Sequence, residues 1–112
     1  MFLYQLKLVV RGKNLDEFID SLRFLASEIQ AEEGCLGFSF YRDLARKDAY
    51  RVSGEWKTRR AMEAHFKREN FSVLIGATRV LGEDFEISVG EILNKGNYQF
   101  AQEKISMHPE SS

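Results

Sequence analysis

Cysteine is almost missing from this chain of 112 residues, which has Cys35 and no other. One cysteine closes no intramolecular disulfide, so the fold has to be held by its core, and nothing points to an oxidising compartment. Long apolar runs are missing too. No stretch approaches the ~18 residues of a membrane span, and Met1–Val10 is interrupted by Gln5 and Lys7 and so lacks the form of a secretion signal. The expectation is a cytoplasmic protein with no membrane partner. An excess of one charge is also absent: 16 basic residues face 17 acidic ones, for a net charge of −1. That balance gives no general attraction to nucleic acid. The cluster Lys57, Arg59, Arg60, Lys67 and Arg68 alternates with Glu63 and Glu69, as a solvated helix face would. Histidine is limited to His65 and His108. There is no glycine-rich nucleotide loop and no clustered His/Cys ligand set, so neither a metal nor another cofactor is expected.

What the chain does contain is periodicity. Phe2, Tyr4, Leu6, Leu8 and Val10 alternate with Leu3, Gln5, Lys7 and Val9, a period of two that predicts a strand broken at Arg11-Gly12-Lys13. Asn14 stands where a helix cap would, with Glu17 three residues on. Leu15, Phe18, Ile19, Leu22, Leu25, Ala26 and Ile29 then follow at helical spacing, up to a stop at Gly34. Cys35–Asp43 and Ala49–Trp56 alternate again around a charged turn at Leu44–Asp48, which makes a hairpin. Thr58 caps a short helix over Arg59–Lys67, and Asn70 recaps a second piece over Phe71–Leu81 that closes at Gly82. Phe85–Leu93 is a fourth strand.

The order β-α-β-β-α-β predicts an α+β, ferredoxin-like domain over residues 1–93, with an antiparallel four-stranded sheet and helices on one face. Residues 94–112 form a C-terminal extension in which Tyr98 and Phe100 alternate briefly and Pro109–Ser112 frays. Apolar residues on both sides of the first two strands suggest that the sheet's open face is apolar. A homodimer with sheets face to face follows, the Tyr98-Gln99-Phe100 stretch lying along the partner's sheet edge.

Two residues stand out for chemistry. Trp56 ends a strand just before a helix, where its ring could stack on a planar ligand or plug the helix–sheet layer. His65 titrates near neutrality and is either a general base at a pocket mouth or a half-exposed helix residue. Gly54 leaves a gap beside Trp56 that a bulge, a neighbouring backbone or a ligand could fill. Tyr50, Val52, Met62, Phe66, Phe71 and Arg79 are the residues expected around such a pocket. Arg79 would pair an anionic group or an exposed carboxylate. Cys35, with no base partner evident, reads as a small buried hydrophobe.

The run Glu33-Gly34-Cys35-Leu36-Gly37-Phe38, then Tyr41-Arg42-Asp43, Glu55-Trp56-Lys57-Thr58, Ala61-Met62-Glu63-Ala64-His65-Phe66 and Asn70-Phe71, resembles the antibiotic biosynthesis monooxygenase family. The resemblance covers about residues 1–93 and implies a dimeric α/β barrel. It also implies a cofactor-independent monooxygenase acting on a quinol-like or polyphenolic small molecule. Trp56 matches the tryptophan used by the oxygenases of aromatic polyketides. The asparagine four residues earlier and the tyrosine six residues later are replaced here by Val52 and Met62. In the haem-degrading branch an asparagine, a tryptophan and an axial histidine matter. Leu6, His65 and Ile75 stand in those places, so haem degradation is not expected. His65 matches the histidine common in the quinol-oxygenase-like branch. The alternative is a non-catalytic dimeric module of the same fold that binds a small aromatic ligand.

Overall fold

Alternating apolar side chains make Phe2–Val9 (β1) a strand whose even-numbered face, with Tyr4, Leu6 and Leu8, is buried. In the computed structural model, which describes residues 1–106, β1 lies inside a four-stranded antiparallel sheet. The other strands are Cys35–Arg42 (β2), Ala49–Trp56 (β3) and Glu83–Glu91 (β4), in the order β2-β3-β1-β4. Helices Gly12–Gln30 (α1), Arg59–Phe66 (α2) and Glu69–Leu81 (α3) accompany them, and Tyr98–Ser106 (α4) follows β4. This is the ferredoxin-like arrangement the periodicity predicts.

The core lies between the helices and one face of the sheet. Phe18, Leu22, Leu25 and Ile29 form the buried stripe of α1, and Leu74 and Thr78 that of α3. Tyr50, Val52 and Trp56 face them from β3. Thr58 caps α2, its side-chain oxygen accepting from the Ala61 amide at 3.1 Å, as expected.

Several expectations are corrected. Helix α1 begins at Gly12 rather than after Asn14, with Arg11 at its cap position and no side-chain cap bond. The Asn14 amide instead donates to the Leu81 carbonyl at 3.3 Å, tying α1 to the end of α3. Asn70 lies inside α3, which starts at Glu69. A bulge between Cys35 and Gly37 leaves Leu36 exposed and sets Cys35 opposite Trp56.

The open face of the sheet is polar, not apolar. Across the register it presents Tyr41, Arg51, Lys7 and Glu86 in one row, and Ser39, Ser53, Gln5 and Ser88 in the next. The apolar surface that remains is on the other side, at the edge strand. Phe85, Ile87 and Val89 of β4 share the helix-side face but stay exposed, because the helices do not reach over β4. The Tyr98-Gln99-Phe100 stretch begins helix α4 rather than forming a strand. His108 and the Pro109–Ser112 end lie outside the described residues.

Candidate functional site

Strand β3 ends on Trp56, and two residues later the Thr58 cap turns the chain into α2. Met62 and His65, one helical turn apart, are the two buried residues of α2. His65 is thereby delivered onto Trp56: the two rings stack with centroids 4.5 Å apart and planes inclined by 28°. Both residues are fully buried. Phe71 from α3 meets the imidazole edge-on at 5.3 Å, and Phe66 packs on Phe71 at 4.8 Å.

Both imidazole nitrogens have partners. The Tyr4 hydroxyl oxygen lies 2.8 Å from Nε2, and Oε1 of Glu32 lies 2.9 Å from Nδ1. An ionised carboxylate can only accept, so the network assigns the proton to Nδ1, and the Tyr4 O–H donates to the bare Nε2. Glu32 sits in the connection between α1 and β2, and its side chain is only 6% exposed. Its Oε2 accepts from the Asn70 amide at 3.2 Å, and Arg68 Nε stands 3.6 Å from Oε1. A buried glutamate is rare unless it is paired in this way.

Burial holds the imidazole below its ordinary range. The Glu32 hydrogen bond and charge oppose this, while the Arg68 cation adds to it. Burial likewise drives the Tyr4 hydroxyl far above the usual phenol value, reinforced by Cys35 and the Glu32 charge, so Tyr4 stays protonated. The Cys35 thiol is pushed up mainly by burial, which disfavours its thiolate form. One polar atom in the cluster is unsatisfied: the buried Trp56 Nε1 has no hydrogen-bond partner among the described residues.

Trp56, His65, Phe66 and Phe71 therefore form one cluster. Met62 is buried one turn from His65 on α2. Val52 is fully buried in the middle of β3, between Leu6 and Phe40 in the register. Tyr50 lies further along β3 and stacks on Phe40 at 5.3 Å. Arg79, in the last turn of α3, is exposed and apart from the cluster. Sequence reading missed Tyr4, Glu32 and Asn70 as functional groups. Tyr4 reads as one more apolar residue of a strand, Glu32 as part of a polar helix face and Asn70 as a cap.

Among the described residues, two concavities open to solvent are lined by neither Trp56 nor His65. One, of about 960 Å³, spans the polar sheet face between Gln5, Lys7, Arg51 and Glu55. The other, of about 280 Å³, runs between α1 and β2, lined by Ile19, Leu22, Phe38 and Phe40. Among the described residues no three His, Cys, Asp or Glu side chains are grouped to hold a metal ion, and no helix is long and apolar enough to cross a membrane.

The sequence profile of a family described as antibiotic biosynthesis monooxygenase matches residues 1–75. Among solved structures, a Deinococcus radiodurans protein provisionally named an antibiotic biosynthesis monooxygenase is similar with a TM-score of 0.77 at 21% identity, over 87% of this chain and 97% of its own. Rv0793 from Mycobacterium tuberculosis is similar with a TM-score of 0.74 at 14% identity, over 86% and 98%. SnoaB, a cofactor-independent oxygenase from Streptomyces nogalater, is similar with a TM-score of 0.72 at 16% identity, over 84% and 94%. At these identities the likeness is one of fold. Comparison with curated proteins finds no match.

Proposed function

The chain belongs to the antibiotic biosynthesis monooxygenase family, and from that premise we propose that it is a cofactor-independent monooxygenase of a quinol-like or polyphenolic small molecule. The observation that carries this reading is the unpaired Nε1–H of Trp56, whose buried ring stacks on the His65 imidazole with centroids 4.5 Å apart. A buried donor without an acceptor costs free energy, about 1–3 kcal/mol. A phenolate or carbonyl oxygen of a planar ligand would relieve that cost. The flanking rings supply the stacking surface and the water-poor surroundings. His65 takes the substrate's hydroxyl proton. The resulting anion reduces dioxygen directly: one oxygen atom ends on a ring carbon, the other leaves as water, and the substrate supplies all four electrons. Phe66 and Phe71, both half-buried, form the side of the cluster nearest solvent, and a ligand enters by displacing them.

The test is oxygen uptake with product analysis over a panel of quinols and polyphenols. Turnover that falls on the order of 10²-fold in Trp56→Phe and His65→Ala is the expected result. No turnover across the panel overturns it.

A second reading, a non-catalytic module binding a small aromatic ligand, draws on Val52 and Met62. Both are buried apolar residues where related oxygenases carry polar groups. Thermal stabilisation by a panel compound without oxygen uptake would favour it. Under either reading the protein acts as a homodimer. The support is the exposed apolar strip Phe85, Ile87 and Val89 on an edge strand.

A further inference from the structure

We propose that Glu32 is the positioning residue of this site. It holds His65 in the Nδ1–H form, so that Nε2 is the proton-accepting atom and the Tyr4 hydroxyl is the group through which the proton arrives. This rests on the reading of His65 as the proton acceptor.

The carboxylate is fixed at both ends. Oε1 meets Nδ1 at 2.9 Å with Arg68 at 3.6 Å, and Oε2 meets Asn70 at 3.2 Å. It cannot turn away from the imidazole without giving up the Asn70 bond. Three segments converge on it: the α1–β2 connection, the α2–α3 corner and the first turn of α3. The imidazole is then oriented from its far side, and Nε2 is left with the Tyr4 hydroxyl at 2.8 Å, the one hydrogen bond of that hydroxyl among the described residues. A purely structural tie could be made by a neutral amide. A buried carboxylate adds the ability to stabilise an imidazolium. The charged and titratable groups facing His65 are Glu32, Arg68 and Tyr4, with the Cys35 thiol of β2 beside Tyr4. Trp56, Phe66 and Phe71 bring no charge.

In the relay, the substrate hydroxyl gives its proton to the Tyr4 oxygen as the Tyr4 proton passes to Nε2. The products are a substrate anion, a neutral Tyr4 and an imidazolium whose Nδ1–H stays on the Glu32 carboxylate. The proton returns along the same path to the outer oxygen of the hydroperoxide formed on the ring. As the O–O bond breaks, that oxygen leaves as water with the hydrogen lost from the oxygenated ring carbon.

The test uses the full chain labelled with ¹⁵N. Side-chain nitrogen shifts at neutral pH are expected to show His65 protonated on Nδ1 with a bare Nε2, and to show the same form in Tyr4→Phe. In Glu32→Ala the population moves to the Nε2–H form. In Glu32→Gln the imidazole titrates at lower pH than in the wild type, and Glu32→Asp restores part of the difference. A wild-type Nε2–H form, or a Glu32→Ala protein still protonated on Nδ1, overturns the proposal. If Glu32→Ala does not fold, an unchanged titration in Glu32→Gln overturns it. With an active substrate, Glu32→Gln lowers kcat roughly 10²-fold and leaves KM unchanged. The nitrogen shifts need no substrate, so absence of turnover counts against the monooxygenase reading alone.

Discussion

The Tyr4 ring lies across Gly54, its partner in the β1–β3 register, so closely that a Cβ at position 54 would stand 2.6 Å from Tyr4 Cε2. The gap beside Trp56 is therefore filled from the neighbouring strand, by the ring whose hydroxyl reaches His65. A side chain at 54 pushes that ring, and the ring is wedged among His65, Phe66 and Phe71 at centroid distances of 5.4–5.6 Å.

Gly54→Ala overpacks the layer and destabilises the protein by about 1–3 kcal/mol. The expected readout is a Tm lower by on the order of 5–15 °C in calorimetry. Gly37→Ala, where a Cβ meets nothing within 4 Å, serves as the control and leaves Tm nearly unchanged. Equal Tm values for the two variants would contradict this packing.

Acid should destabilise the protein through His65. Burial lowers its pKa from the ordinary 6.5, so between those two values the unfolded chain holds a proton that the folded chain does not. Stability is therefore full above the unfolded value and is lost as pH falls through the folded one. Denaturant titrations from pH 7.5 downward should show a steeper decline for the wild type than for His65→Gln. His108 is present in both and cancels in the difference. Parallel curves would remove His65 as the titrating group.

Edge strand β4 carries the third prediction. Ile87 stands opposite Leu6 in the register and is 41% exposed, in the middle of the strip with Phe85 and Val89. Sedimentation equilibrium at micromolar concentration is expected to give a dimer for the wild type and a monomer for Ile87→Lys. A monomeric wild type would sink the dimer proposal.

The elements were legible because their causes are local. Alternation over Phe2–Val9 and Ala49–Trp56, and the spacing of Phe18, Leu22, Leu25 and Ile29, are properties of neighbours a few residues apart. Thr58 could be read as a cap for the same reason. The tail misled because Tyr98 and Phe100 are too few to tell a period of two from a helix. The strip at Phe85, Ile87 and Val89 alternates just as a core strand does. It is left bare because it lies at the edge the helices do not reach over, and neither strand order nor helix placement is a local property.

His65 was visible in the sequence, but its condition was not. The sequence by itself determined that a short helix carrying His65 follows a strand ending in Trp56, and that no metal-ligand cluster or nucleotide-loop motif is written in it. The tertiary structure decided that this histidine is buried and doubly hydrogen-bonded. Its partners come from positions 61 and 33 residues away along the chain. Pairings at that separation are set by how β1, the α1–β2 connection and the α2–α3 corner pack together, and no periodicity in any one segment encodes them.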